Sequence, residues 1–197
     1  HPSSSPTLEF CQSKGLKLIF VRRSEYRAVR AANWQPTTAQ LQLWGASQMR
    51  ILPEGGAGAW TQMGCAEIWQ EIAADFIPDH LVLASGTAAT VQGILRAMDP
   101  GVETKVHVVS AVKGARREEL ATRALAEQKG IDLHWEDELH FGGFGKSTAP
   151  LQQLAEQFDT DTGIALDPIY NAKVLNYLNN QVLEGSVLWL NTGGVFG

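Results

Sequence analysis

Apolar positions recur at helical spacing over residues 59–76. Cys65, Ile68, Trp69, Ile72 and Phe76 fall at i, i+3, i+4, i+7 and i+11, which predicts one amphipathic helix. Asp79 then precedes His80-Leu81-Val82-Leu83-Ala84, a continuous apolar run of the kind a covered strand shows. Ser85-Gly86-Thr87-Ala88-Ala89-Thr90 follows and opens a helix to about Met98, and Asp99-Pro100-Gly101 reads as a turn. Lys105 to Ser110 is the next strand, residues 115–129 a helix stopped by Gly130, and residues 131–135 a further strand. His140 to Lys146 is a glycine-rich loop. Leu151, Leu154, Ala155 and Phe158 have helical spacing again, and Asp159 to Gly163 reads as a polar turn. Leu166-Asp167-Pro168-Ile169-Tyr170 approaches another helix, with Val174, Leu175, Leu178 and Val182 on its buried face and Gly185 as its stop. Val187 to Leu190 is a last buried strand before Asn191-Thr192-Gly193-Gly194.

The first quarter of the chain is less regular. Thr7 caps a short helix that Gly15 ends, and Leu16 to Val21 reads as a strand. Arg22 to Asn33 is charged and helical. Gln35-Pro36-Thr37-Thr38 breaks that helix, and a weak amphipathic stretch runs to Ser47. Met49 to Leu52 is a short strand closed by Pro53-Glu54-Gly55-Gly56. From residue 49 onward strands and helices alternate, which predicts an α/β fold: a mostly parallel sheet with helices on both faces.

Composition narrows the function classes. The chain has 197 residues, 44% of them apolar and 19% charged, with a net charge of −5. That balance fits a folded globular chain and excludes a disordered one. The acidic sum and the lack of a basic stripe argue against nucleic acid as a partner. No apolar run reaches the ~20 residues of a membrane helix. Two cysteines, Cys11 and Cys65, build no disulfide framework, so a cytoplasmic setting is the default expectation. The chain begins with His1, and its first methionine is Met49, so a fragment of a longer protein is expected.

In an open α/β sheet, ligands bind beyond the carboxyl ends of the strands. Ser85 to Thr90 lies at such an end. Amides at a helix N-terminus suit a phosphate, Thr87 and Thr90 add hydroxyls, and the small Gly86, Ala88 and Ala89 allow close approach. A tight strand-to-helix turn capped by Thr87 is the competing reading. Thr192 and Gly193 lie beyond the last strand, where the hydroxyl could meet a ring heteroatom or the segment could be a plain turn. Tyr170 stands at a helix start, as a proton-transfer group or as a packing residue. Lys146, in the glycine-rich loop, could approach a ligand. The histidines lack ligand spacing, so no metal site is expected, and no G-x-S-x-G elbow is present. A non-enzymatic domain that binds a phosphorylated small molecule through residues 85–90 stands as the alternative to an enzyme.

Four segments in order carry a resemblance. Leu52-Pro53-Glu54-Gly55-Gly56, Leu81 to Gly93, Leu166-Asp167-Pro168-Ile169-Tyr170-Asn171-Ala172-Lys173 and Asn191-Thr192-Gly193-Gly194 resemble the pyridoxal-phosphate family of 1-aminocyclopropane-1-carboxylate deaminase and D-cysteine desulfhydrase. His140 to Lys146 is similar to a stretch in one branch. The resemblance implies the tryptophan synthase β-like fold (fold type II), with 1–56 a remnant of the smaller domain and 57–197 the larger cofactor-binding domain. It implies pyridoxal 5′-phosphate as cofactor, a small amino acid as substrate, and a homodimer. It places the cofactor phosphate on Ser85, Gly86, Thr87, Ala88, Ala89 and Thr90, a catalytic tyrosine at Tyr170, and ring contacts at Asn171, Thr192 and Gly193.

Two departures matter. Asn171 stands where the deaminase type has glutamate, which points to β-elimination from a D-amino acid over cyclopropane opening. The family's Schiff-base lysine and its serine-asparagine loop lie upstream of what resembles residue 1, and no lysine here matches that lysine. The chain by itself is therefore expected to be inactive.

Overall fold

The computed structural model describes residues 6–45 and 51–193. Two compact units divide at Gly56 and Ala57. In the first, three short helices follow one another: α1 (Pro6–Ser13), α2 (Arg23–Ala31) and α3 (Thr38–Leu43). The start of α1 at Pro6 places Thr7 inside the helix, not at its cap, while Gly15 follows the helix in a left-handed conformation. Thr37 caps α3 through a reciprocal pair, its hydroxyl accepting from the Gln40 backbone amide at 3.3 Å and the Gln40 side-chain oxygen accepting from the Thr37 backbone amide at 2.7 Å.

Residues 16–21 form no strand, against expectation, and Leu16, Ile19, Phe20 and Val21 are exposed. A strand needs hydrogen-bonding neighbours, and no described segment of this unit supplies them. The expected strand at 49–52 lies partly outside the described residues, and Ile51 and Leu52 are not in a strand. Glu54 sits in a single turn of 3-10 helix, with its carboxylate 3.9 Å from Arg30.

The second unit holds α4 (Ala59–Asp75), β1 (His80–Ser85), α5 (Ala89–Ala97), β2 (Lys105–Ser110), α6 (Arg116–Lys129), β3 (Leu133–Glu136), α7 (Ala149–Thr162), α8 (Asn171–Asn179) and β4 (Val187–Leu190). The sheet order is β3-β2-β1-β4, and every pairing is parallel. Alternation along the strands sends side chains to two covered faces. Leu81, Leu83, Val106 and Val108 pack with Trp69 of α4 and with Val91, Ile94 and Leu95 of α5. Val82 and Val109 pack on the other face against Val174 and Tyr177 of α8. Each fully buried leucine or valine stabilises the fold by about 1.5–3 kcal/mol. The α/β fold with helices on both faces is thus observed.

Several boundaries differ from expectation. Phe76 is 47% exposed because α4 ends at Asp75 and turns it off the buried face. Residues 159–162 continue α7, which stops at left-handed Gly163. Helix α8 ends at Asn179, so Val182 lies beyond it and is 93% exposed. β4, expected to be buried, is an edge strand with Val187 exposed and residues 188–190 half-buried, since among the described residues only β1 pairs with it.

Candidate functional site

The carboxyl ends of β1 and β2 meet the N-terminus of α8. β1 and β2 end in register at Ser85 and Ser110, and the next amide, of Ala111, donates to the Ser85 carbonyl at 2.9 Å. Beyond Ser85 the chain turns into α5 through Ala88, the residue preceding the first helical turn. Ala88 has φ 60°, in the left-handed region, and is buried. The Thr87 cap of the competing reading is absent, and the turn is made by backbone conformation at alanine. Thr87 and Thr90 are half-buried. The Ser85 hydroxyl is buried and has no partner among the described residues.

Asp167 organises the start of α8. Its buried carboxylate accepts from the amides of Ile169 at 3.1 Å, Tyr170 at 2.6 Å and Asn171 at 3.1 Å. A carboxylate at this position satisfies the orphan donors of the first turn and complements the helix dipole. It also accepts from Asn171 Nδ2 at 2.7 Å, which fixes that amide's orientation. The same nitrogen donates to the Gly193 carbonyl at 3.0 Å, so α8 is tied to the segment after β4. Both Asn171 N–H groups are thereby used, while Oδ1 is buried without a partner among the described residues.

Of the residues singled out in the sequence, Tyr170 lies beside Gly86, within reach of a Cβ there, and Asn171 is hydrogen-bonded to Gly193. Thr192 is exposed and meets neither pair, and Gly194 lies outside the described residues. Phe144 of the glycine-rich loop stands edge-on to the Tyr170 ring, with centroids 6.0 Å apart. No group of three or more metal-ligating side chains exists among the described residues. Among them, too, no helix is long and apolar enough to cross a membrane.

Sequence reasoning missed the part played by Lys173. The residue is 0% exposed, and its ammonium donates to the carbonyls of His140 at 2.9 Å, Ala111 at 3.3 Å and Gly143 at 3.4 Å. Burial pushes its pKa below the ordinary lysine range, and the Asp167 charge opposes that shift. The one available signal was its place in the first turn of α8, where a lysine is unfavourable to the dipole and so needs a tertiary reason.

No family model matches the chain. It is 25% identical over 167 residues to the mitochondrial bifunctional D-cysteine desulfhydrase/1-aminocyclopropane-1-carboxylate deaminase of Arabidopsis thaliana, a match covering 75% of this chain and 42% of that protein. A crystal structure of an ACC deaminase homologue superposes with a TM-score of 0.75 at 21% identity, over 98% of this chain and 63% of the other. The chain thus spans less than two thirds of the length of either relative. In sequence the chain is thus similar to a D-cysteine desulfhydrase/1-aminocyclopropane-1-carboxylate deaminase, and it shares the fold of an ACC deaminase homologue.

Proposed function

We propose that this chain is the cofactor-binding part of a pyridoxal-phosphate enzyme that deaminates, or eliminates from, a small amino acid. The observation that carries the reading is the approach of Tyr170 to Gly86, where a Cβ would stand 3.3 Å from the tyrosine hydroxyl, which brings the tyrosine that precedes α8 beside the loop between β1 and α5. Two buried polar atoms of this region fit the cofactor. Ser85 Oγ can donate to a phosphate oxygen, and Asn171 Oδ1 can accept from a protonated ring nitrogen. When bound, the cofactor supplies the electron sink for bond cleavage at the substrate α-carbon.

The residues of this chain bind, orient and hold protons around that chemistry. Residues 85–90 seat the phosphate on the N-terminus of α5. Asn171 Oδ1 favours a protonated ring nitrogen, though less than a carboxylate does. Tyr170 handles a substrate proton through its hydroxyl, and Thr192 and Gly193 border the ring. In this reading residues 57–197 are the larger domain and 1–56 part of the smaller one. The lysine that anchors the cofactor carbonyl comes from outside these 197 residues, since Lys173 is engaged with three carbonyls and no other lysine matches that role. Hence the 197-residue chain alone turns over no substrate. The protein with its anchoring lysine works as a homodimer and prefers D-cysteine to the cyclopropane substrate.

The test is equilibrium binding of pyridoxal 5′-phosphate, read by tryptophan fluorescence quenching, to wild type and Ser85→Ala. Binding that the serine change weakens, and that inorganic phosphate displaces, is the expected result. No binding, or binding indifferent to Ser85, overturns the site. Turnover of the cyclopropane substrate at least equal to that of D-cysteine by the lysine-bearing protein overturns the substrate preference. A second reading, a non-enzymatic domain for another phosphorylated small molecule, rests on the same Ser85 loop and predicts equal affinity for phosphates that lack a pyridine ring.

A further inference from the structure

We propose that Lys173 is a positioning residue, a clasp whose ammonium ties the glycine-rich loop 140–146 to the carboxyl end of β2 and so sets how Phe144 meets Tyr170. The ammonium has three N–H donors and three backbone carbonyls to receive them, from Ala111, His140 and Gly143. Two of those carbonyls belong to the loop, and the third belongs to the peptide unit that begins the segment after β2. The amide of Ala111 also donates to Ser85. One side chain of α8 therefore touches the loop directly and the Ser85 turn through a single residue.

Phe141 gives the loop an apolar attachment, packing against the cluster of Leu151, Leu166 and Leu175, and Lys173 adds the polar one. Phe141, Gly142, Gly143 and Gly145 all adopt positive φ, at 51°, 96°, 111° and 69°. Left-handed backbone is costly at phenylalanine, so the conformation persists only where surroundings enforce it. Within the loop, Gly143 N donates to the His140 carbonyl at 3.0 Å and Gly142 N to His140 Nδ1 at 3.0 Å. These bonds shape the turn but do not attach it to the sheet. Phe144 is 60% exposed, so little apolar burial holds it beside Tyr170. The lysine charge is buried without a carboxylate in contact, which makes its carbonyl bonds costly to lose. This inference stands apart from the identity of the ligand and goes beyond the cofactor reading.

The experiment reads the loop without any ligand. Trypsin cleavage after Lys146, which is exposed in the loop, is timed in wild type, Lys173→Met and Lys173→Ala. Cleavage after Lys146 should rise by about tenfold or more in both variants, the scale of lost charge-assisted hydrogen bonds, while cleavage after Arg117 is unchanged. Propylammonium has the atoms that Lys173→Ala removes and should restore protection. Tetramethylammonium, which has no N–H, should not. Wild-type cleavage rates in the variants, or equal protection by tetramethylammonium, overturn the proposal. If both variants unfold and every site is cut faster, acetylation of the wild-type chain decides. Lys173 should then acetylate about tenfold more slowly than Lys146 and in step with hydrogen exchange of amides 140–146. Acetylation that keeps pace with Lys146, or that is slow but out of step with those amides, overturns it.

Discussion

A Cβ built on Gly86 would stand 3.3 Å from the Tyr170 hydroxyl and 3.4 Å from its Cε1. The backbone of Gly86 is not in the left-handed region, so space, not conformation, is what glycine supplies there. Gly86→Ala should change the unfolding free energy by less than about 1 kcal/mol, because the tyrosine has only a few tenths of an ångström to give. The same shift moves the hydroxyl off the loop. Weaker pyridoxal 5′-phosphate binding at nearly unchanged stability is therefore the expected outcome, checked by urea unfolding beside a binding titration. Unchanged affinity would separate Tyr170 from the ligand seat.

Ala88 and Ala89 are adjacent, buried and chemically identical, yet they should respond oppositely to glycine. Ala88 has φ 60°, a conformation that costs an L-residue about 1 kcal/mol or more, whereas Ala89 is the first helical residue of α5. Ala88→Gly relieves that strain while losing a buried methyl of about 0.8 kcal/mol and freeing the unfolded chain, so it should be nearly neutral. Ala89→Gly has no strain to relieve and should destabilise by about 1–2 kcal/mol. Urea midpoints of the two variants settle the order, and equal losses would contradict the left-handed turn.

Gly93 marks a close approach of α4 and α5. An added Cβ would lie 2.6 Å from Cys65 Cβ and 2.6 Å from the Gln62 carbonyl oxygen. The second neighbour is backbone, so the helices themselves must separate. Gly93→Ala should cost about 2 kcal/mol, despite alanine's better helix propensity, as overpacked cores do. A thermal midpoint equal to or above wild type would refute the packing.

These positions also indicate what is readable from residues alone. The run 80–85, the helices over 89–97 and 116–129, and the stop at Gly130 were legible because hydrophobic period, length and terminators agree there. The segment 16–21 is equally apolar but has no neighbouring strand, a nonlocal requirement that no local pattern carries. The pairing of Tyr170 with Gly86 spans more than eighty residues and became visible only as a resemblance of ordered motifs. The Lys173 clasp was hidden because its three acceptors are backbone carbonyls, which every residue type possesses.

His80, His107 and Tyr177 form a hydrogen-bonded chain on the face of the sheet that α8 covers, and its geometry sets a pH response. His80 Nε2 lies 3.1 Å from the Glu184 carbonyl, an acceptor only, so that nitrogen carries a proton. In the neutral ring, His80 Nδ1 then accepts from His107 Nε2 at 2.9 Å, and His107 Nδ1 accepts from the Tyr177 hydroxyl at 2.8 Å. Desolvation, with the neighbouring His80 and His134 charges next and Lys105 adding to them, depresses the His107 pKa from 6.5 to about 4, and Asp132 opposes. The unfolded chain therefore binds this proton more readily. The stabilising contribution is present above pH 6.5 and is lost as pH falls toward 4, by about 3 kcal/mol in total. His107→Leu removes the group that must be kept neutral. Its stability at pH 7 should fall with the loss of both hydrogen bonds, while its further loss between pH 7 and pH 4.5 should be smaller than wild type's by about 2 kcal/mol. Urea unfolding of both proteins at the two pH values measures that difference. Parallel losses would show that His107 titrates normally and that the chain of rings does not hold it neutral.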